Sequence, residues 1–214
     1  MAKKDNISMS VIRRLPRYYR FLSDLKDKGI ERISSKELSK KMGITASQIR
    51  QDLNCFGEFG QQGYGYSIEH LHNEISNILG ISTINPTILI GAGNLGRAIA
   101  THISFNSIGF ELKGIFEKNK DFVGKTIQNV PIYYIDSLEE FCKNNKITVA
   151  ILCIPREATS EIAKTLYSLG IRNYWNFSHY DLSVKYEDVI VENVHLNDSL
   201  MTLCYRISNN FIID

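Results

Sequence analysis

Three glycines within the run Thr87-Ile-Leu-Ile-Gly-Ala-Gly-Asn-Leu-Gly-Arg97 have a spacing that suits phosphate chemistry. An apolar stretch enters Gly91, Ala92, Gly93, Asn94, Leu95 and Gly96, and the chain leaves into a helix-compatible segment. Gly91 permits a tight turn, Gly93 lets backbone approach a pyrophosphate, and Gly96 lets a helix pack close to its strand. The helix N-terminus then offers unpaired N–H groups and a partial positive charge to an anion. An acid about 20 residues further on is needed for ribose hydroxyls, and Glu117 closes the next apolar run at that distance. Strand, glycine turn, helix and acid together read as a dinucleotide-binding turn. The same triplet alone would equally suit a Rossmann-type domain that binds no nucleotide. Lys118 and Lys120 follow the acid and suit a 2′-phosphate, which Glu117 should repel, so NAD(H) stands ahead of NADP(H).

A second chemistry lies nearer the N-terminus. The net charge is only +2, but residues 1–80 hold 13 Lys/Arg against 9 Asp/Glu, while residues 81–214 hold 12 against 14. The basic excess is densest in Arg13-Arg-Leu-Pro-Arg-Tyr-Tyr-Arg20, where Arg14, Arg17 and Arg20 are candidate phosphate contacts. Such asymmetry suits an acidic partner, although a basic run is also an ordinary solvated helix face. Ser34-Ser-Lys-Glu37 and Thr45-Ala-Ser-Gln48 both read as capping boxes, with Gly43 turning the chain between them. Helix, glycine turn and helix make a helix-turn-helix, or else a plain helical hairpin with a polar outer face. On the second helix Thr45, Ser47, Gln48, Arg50 and Gln51 are of the types that read base edges in a major groove. The following Phe56–Tyr66 segment is rich in glycine and aromatics and reads as a hairpin with Gln61 and Gln62 at its tip. A hairpin there is a wing, and Gln61, Gln62 and Tyr64 are its candidate DNA contacts.

The rest of the chain must position these groups. Pro16 opens a helix running to Lys28, and Ile68 to Leu79 repeats the helical period before a linker at residues 81–86. Strands are then expected at 87–90, 111–116, 131–134, 148–154, 173–177 and 189–194, with helices at 95–107, 138–144 and 157–169. This alternation predicts an α/β fold, a doubly wound parallel sheet with its ligand at the carboxyl ends of the strands. Leu196, Leu200, Leu203, Ile207 and Phe211 form one helical stripe, with Asp198 and Ser199 as a capped start. That helix folds back on its own domain or packs on a second subunit. The expected domains are 1–80, 81–195 and 196–214. No apolar run approaches the roughly 20 residues of a membrane span, and no signal-peptide core follows the N-terminus. The four cysteines form no C-x-x-C pair, which suits reduced thiols in a cytoplasmic protein.

Several of these motifs together resemble one family. Arg14-Leu-Pro-Arg-Tyr-Tyr-Arg20, Ser34-Ser-Lys-Glu-Leu38, Ile49-Arg-Gln-Asp-Leu53, Phe56-Gly-Glu-Phe-Gly60, Gly63-Tyr-Gly-Tyr66 and Gly91-Ala-Gly-Asn-Leu-Gly96 are similar to the signature of the Rex redox-sensing repressors. The resemblance covers nearly the whole chain. It implies a homodimer with a winged-helix DNA-binding domain, a Rossmann domain and a domain-swapped C-terminal helix. It also implies that NADH and NAD+ compete for the Rossmann sites. NADH is expected to close the dimer and lift the recognition helices from a palindromic operator, derepressing genes of fermentation and anaerobic respiration.

Five positions depart from that pattern. The resemblance implies coupling between an arginine in the first long helix, a tyrosine in the first Rossmann helix and an aspartate before the C-terminal helix. Arg20 matches the arginine, but His102 and His195 occupy the other two positions. The usual Asn-Phe-Ala-Pro is Asn176-Phe-Ser-His179, and the usual ribose aspartate is Glu117. A histidine cannot form an Arg–Asp ion pair, so these changes bear on the response to NADH more than on binding nucleotide or DNA. One alternative is therefore a repressor of this fold with a lost or altered NADH response.

The other alternative is a small NAD-dependent oxidoreductase. Hydride transfer would need an acid or base beside the nicotinamide and a substrate pocket. The chain has no Tyr-x-x-x-Lys, no Ser/His/Asp order of a triad and no metal-ligand spacing among its five histidines. His179 alone is placed to act. The expectation is a repressor, not an enzyme, with NAD+/NADH as cofactor and double-stranded palindromic DNA as partner.

Overall fold

The computed structural model of the chain describes residues 7–57, 60–61 and 64–208, with backbone alone at 60–61. The chain divides into two compact units, residues 1–83 and 84–214.

In the first unit, α1 (Met9–Ile12) and α2 (Leu15–Asp27) precede β1 (Arg32–Ile33). Then come α3 (Ser35–Met42), α4 (Ala46–Asn54), β2 (Gly60–Gln61), β3 (Gly65–Ser67) and α5 (Ile68–Leu79). Pro16 falls at the second residue of α2, where its missing N–H costs nothing. The apolar stripes bury together: Leu15, Tyr18, Leu22 and Leu25 of α2 meet Leu71 and Ile75 of α5 and Ile49 and Leu53 of α4. Gly43, at φ +61, is the left-handed residue that turns α3 into α4. The small antiparallel sheet runs β1-β3-β2, so the wing hairpin is rooted on a strand that the sequence reading left out. Gln62 lies outside the described residues.

The two capping boxes fare differently. Ser34 and Glu37 cap α3 reciprocally, as expected. Thr45 accepts from the Gln48 N–H at 3.1 Å, but the Gln48 side chain turns away to Asp52, so the second box is only half formed.

The second unit continues with β4 (Asn85–Ile90), α6 (Asn94–His102), a 3-10 turn at Phe105–Ile108, β5 (Phe110–Glu117), β6 (Thr126–Ile127) and β7 (Val130–Tyr134). A second 3-10 turn (Ile135–Ser137) leads to α7 (Leu138–Asn144), β8 (Val149–Leu152), α8 (Arg156–Ser168), β9 (Asn173–Asn176), α9 (Leu182–Lys185), β10 (Ile190–Asn193) and α10 (Leu196–Ser208). The sheet order is β10-β9-β8-β4-β5-β7-β6. Alternate residues of β4 serve opposite faces. Ile88 and Ile90 pack with Leu138, Ala163 and Leu166 of α7 and α8, while Leu89 packs with Ile99 and Ala100 of α6. The sheet is therefore doubly wound.

Four details correct the sequence reading. Asn85 and Pro86 begin β4 rather than ending a linker. Edge strand β6 runs antiparallel to β7 through Gln128 and Asn129, both at positive φ as a two-residue hairpin turn requires. Helix α6 stops at His102, and the rest of the predicted helix becomes the first 3-10 turn. Helix α10 starts at Leu196, so Asp198 lies inside its first turn and the Ser199 hydroxyl donates back to the Leu196 carbonyl instead of capping. Phe211 lies outside the described residues.

Candidate functional site

Strand order reverses at β4, since the chain builds outward through β5 and β7 on one side and β8, β9 and β10 on the other. Ligands bind at that switch point, beyond the carboxyl ends of the strands. Gly91 sits there at φ +99, where a Cβ would come within 2.6 Å of the Cys153 carbonyl oxygen. A Cβ on Gly96 would run into the Gly91 carbonyl, so the helix can approach its strand only with glycine. Gly93 is the N-cap of α6; no side chain caps the helix, and no atom lies within 4 Å of where its Cβ would be. The helix end is thus open to an anion.

Glu117 closes the turn from the neighbouring strand. One carboxylate oxygen accepts the Ala92 N–H at 2.6 Å, and the other accepts those of Lys118 at 2.8 Å and Asn119 at 2.9 Å. Three backbone donors hold the carboxylate over the glycine turn, where ribose hydroxyls would arrive. A cavity of about 540 Å3 opens from it, lined by Gly91, Gly93, Glu117, Lys118 and Asp136. Asn94 and Leu95 are exposed on the first turn of α6, and Ala92 is buried in the glycine turn. Lys118 faces the cavity, whereas the Lys120 ammonium lies 5.5 Å from the centre of the Tyr134 ring.

The sequence reading missed the far wall of this cavity, Cys153, Ile154 and Pro155. The signal was present, because a switch point is flanked by the first turn of both halves. Burial pushes the Cys153 thiol up to about 12, so it meets a ligand as a neutral group. Arg97 was also passed over. Its guanidinium donates to the Asn94 side-chain Oδ1 at 2.9 Å and lies 4.9 Å from the Phe122 ring centre, fixed on the first turns of α6.

The turn after β9 carries Ser178 and His179. Buried Asn176 accepts from the Ser178 N–H and hydroxyl and donates to the Tyr180 carbonyl and the Asn193 side chain. Ser178 therefore satisfies the turn's own hydrogen bonding. His179 meets His195, the residue before α10, with Nδ1 atoms 3.0 Å apart and rings stacked at 4.8 Å. His102 is exposed at the last residue of α6.

In the first unit, Ile49, Asp52 and Leu53 form the buried face of α4, while Ser47, Arg50 and Gln51 are exposed on it and Thr45 on its cap. The Arg50 guanidinium reaches the Ser35 hydroxyl at 3.0 Å, which holds it on the α3 side of the helix. Arg17 and Arg20 are exposed on α2. Tyr64 is 71% exposed in the turn of the wing, immediately before β3, and Arg32 donates to its carbonyl at 3.2 Å. Gln61 is placed by backbone pairing opposite Gly65.

Arg14 is the exception among the candidate phosphate contacts. Its guanidinium grips the Asp52 carboxylate with two bonds of 2.7 Å. It is an internal partner rather than part of the free basic face. Gln48 likewise gives its amide N–H to Asp52 at 2.8 Å and is only half exposed.

Comparison with known proteins agrees with both units. Residues 6–54 match the family "Putative DNA-binding protein N-terminus", and residues 82–180 match the family "CoA binding domain". A redox-sensing transcriptional repressor Rex of Clostridium perfringens strain SM101 is 52% identical over 98% of this chain and 99% of its own. The Rex of Thermoanaerobacter pseudethanolicus is 54% identical over 97% of this chain and 92% of its own. The crystal structure of RSP in complex with β-NAD+ and operator DNA superposes with a TM-score of 0.87 at 53% identity, covering 97% of this chain and 95% of that one. RSP in complex with β-NADH gives a TM-score of 0.85 at 50% identity, covering 97% of each chain.

Proposed function

This chain belongs to the Rex family of redox-sensing transcriptional repressors, and from that premise we propose that it binds a palindromic operator as a homodimer and leaves it when NADH occupies the Rossmann unit. It is a regulator and not an enzyme, its relatives being repressors. NAD+ and NADH are its cofactors, as in the similar RSP complexes. The observation that carries the reading is the Glu117 carboxylate, held by three backbone N–H groups against the glycine turn of β4 and α6. An acid fixed there takes ribose hydroxyls and repels a 2′-phosphate, which favours NAD(H) over NADP(H). Ser47, Arg50 and Gln51 on the outer face of α4 read bases, and Arg17, Arg20, Tyr64 and the wing tip take phosphate or minor groove.

Two apolar surfaces of the second unit support the homodimer. Leu196, Leu200, Leu203 and Ile207 of α10 are each at least half exposed. A cavity of about 350 Å3 on the same unit is lined by Phe105, Phe110, Ile151, Trp175 and Ile190. Exposed apolar surface on this scale marks an interaction site. Exchange of α10 between two copies would cover both surfaces with one two-fold operation. Among the described residues no helix is long and apolar enough to cross a membrane, and an operator-bound repressor acts in the cytoplasm.

The contact between His179 and His195 favours a second reading, a repressor of this fold whose NADH response is retuned. One titration decides between them. Operator-bound protein is titrated with NADH and separately with NAD+, and release is followed by fluorescence anisotropy. Release by NADH alone, at concentrations that act on its relatives, supports the first reading. Release only at much higher NADH supports the second, and failure to bind any palindrome overturns both.

A further inference from the structure

Among the described residues of the first unit, the most heavily bonded charge faces away from the surface that would meet DNA. Asp52 is fully buried on the inner side of α4 and accepts four hydrogen bonds. Two come from Arg14, the third from the Tyr18 hydroxyl at 3.0 Å and the fourth from Gln48 at 2.8 Å. A carboxylate has about four lone-pair directions, so its capacity is filled. A hydrophobic contact would allow α4 to roll about its axis, but a planar bidentate pair fixes direction as well as distance. Arg14 and Tyr18 sit one turn apart at the start of α2, which is itself anchored through Leu15 and Leu22 in the core. Asp52 therefore ties the roll of α4 to the frame of α2. It also occupies a guanidinium whose side chain is still 31% exposed, and that would otherwise be a free cation.

Resting on the reading of α4 as the recognition helix, we infer that Asp52 is a positioning residue for DNA discrimination. It sets the angle at which Ser47, Arg50 and Gln51 are presented, and it withholds Arg14 and the Gln48 amide from DNA. The first effect raises affinity for the operator. The second lowers affinity for every other sequence, because a phosphate contact carries no sequence information. Burial raises the cost of charging Asp52, but the bonds from Arg14, Gln48 and Tyr18 outweigh it and hold the carboxyl below its usual range. The clamp is thus ionised wherever the protein works.

Asp52→Asn in the full-length protein tests this. The amide keeps the shape but offers one acceptor atom to Arg14 and a donor where a second acceptor stood. Operator affinity should fall about tenfold as the helix loses its fixed roll. Affinity for random-sequence DNA should rise about fivefold, with its salt dependence steeper by roughly 0.9 in log–log slope as Arg14 takes a phosphate. Adding Arg14→Gln should cancel the gain on random DNA without restoring the operator. Equal losses on both DNAs, or an unchanged slope, would reduce Asp52 to a residue of the core. Should Asp52→Asn fail to fold, Arg14→Lys keeps the charge and removes only the bidentate grip. An operator-to-random ratio unchanged in a folded Arg14→Lys protein overturns the inference by itself. Wild-type protein that binds no operator would sink this inference together with the reading beneath it, whereas unaltered discrimination over normal wild-type binding sinks this one alone.

Discussion

His179 and His195 stack with ring centroids 4.8 Å apart and share a hydrogen bond between their Nδ1 atoms at 3.0 Å. One residue lies in the turn after β9, at the carboxyl end of the sheet, and the other immediately precedes α10. They lie sixteen positions apart in sequence, and at both the family resemblance implies a different residue. Among the described residues neither ring has a carboxylate within 4.0 Å. The start of α10 is thereby tied to the turn after β9.

His195→Asp should sharpen the NADH response. The change breaks the imidazole pair and puts before α10 the carboxylate that the family resemblance implies at this position. Allosteric coupling of this kind is worth about 1–3 kcal/mol, so the NADH needed for operator release should fall by roughly five- to a hundredfold. Anisotropy of labelled operator reads it directly. A release curve identical to wild type would leave the histidine pair a packing detail.

Glu117→Gln should weaken nucleotide binding while leaving the apo protein's operator affinity intact. Three backbone N–H groups now meet an amide that accepts on one atom only. Charged hydrogen bonds of this sort contribute about 1.5–3 kcal/mol, which places the rise in NADH Kd at roughly ten- to a hundredfold. The same protein should lose its discrimination against NADPH, because Lys118 remains and the repelling charge is gone. Intrinsic fluorescence of the bound dinucleotides measures both.

Stability of the first unit should fall on acidification with a limb that belongs to Asp52. Its folded-state pKa lies below that of the unfolded chain, about 3.9. Its contribution is therefore complete above that value and is lost as pH falls through the folded one. Tyr18 works in the opposite sense. Burial and its bond to Asp52 push its hydroxyl well above the usual 10, so its contribution is complete below pH 10 and fails only in stronger alkali. Thermal unfolding followed from pH 7 down to about pH 2 should show the acid limb in wild type and a flatter one in Asp52→Asn.

The parts of this protein legible in sequence are those where chemistry demands a residue type. Gly91 and Gly96 could be read because a Cβ at either would meet backbone, and the stripes of α2 and α5 because burial imposes the helical period. The bond from Arg14 to Asp52 could not be read for the opposite reason. Nothing local distinguishes Arg14 from Arg13 or Arg17, and its partner lies 38 residues away on another helix. Strand β6 escaped because two residues cannot show a period of two, and its turn uses Gln128 at φ 48, a type seldom found there. The second capping box failed on competition, since Gln48 had a buried carboxylate within reach one turn further along α4.

Leu203→Asp on α10 should separate assembly from folding. Leu203 is 51% exposed in the single chain, as are Leu196, Leu200 and Ile207 to a similar or greater degree. A charge at an exposed helix position changes the stability of a lone chain by about 0.5 kcal/mol or less. The same charge buried in a second copy's apolar cavity would be left unpaired, which few interfaces survive. Sedimentation should therefore show a monomer, with circular dichroism and NADH affinity unchanged. Operator binding should weaken by roughly a hundredfold or more, because two half-sites one helical turn apart need two linked recognition helices. Val184→Asp serves as the control, since Val184 is 85% exposed on α9, outside the α10 stripe, and its substitution should leave the dimer intact. A Leu203→Asp protein that still sediments as a dimer would place the subunit contact elsewhere and return α10 to its own domain.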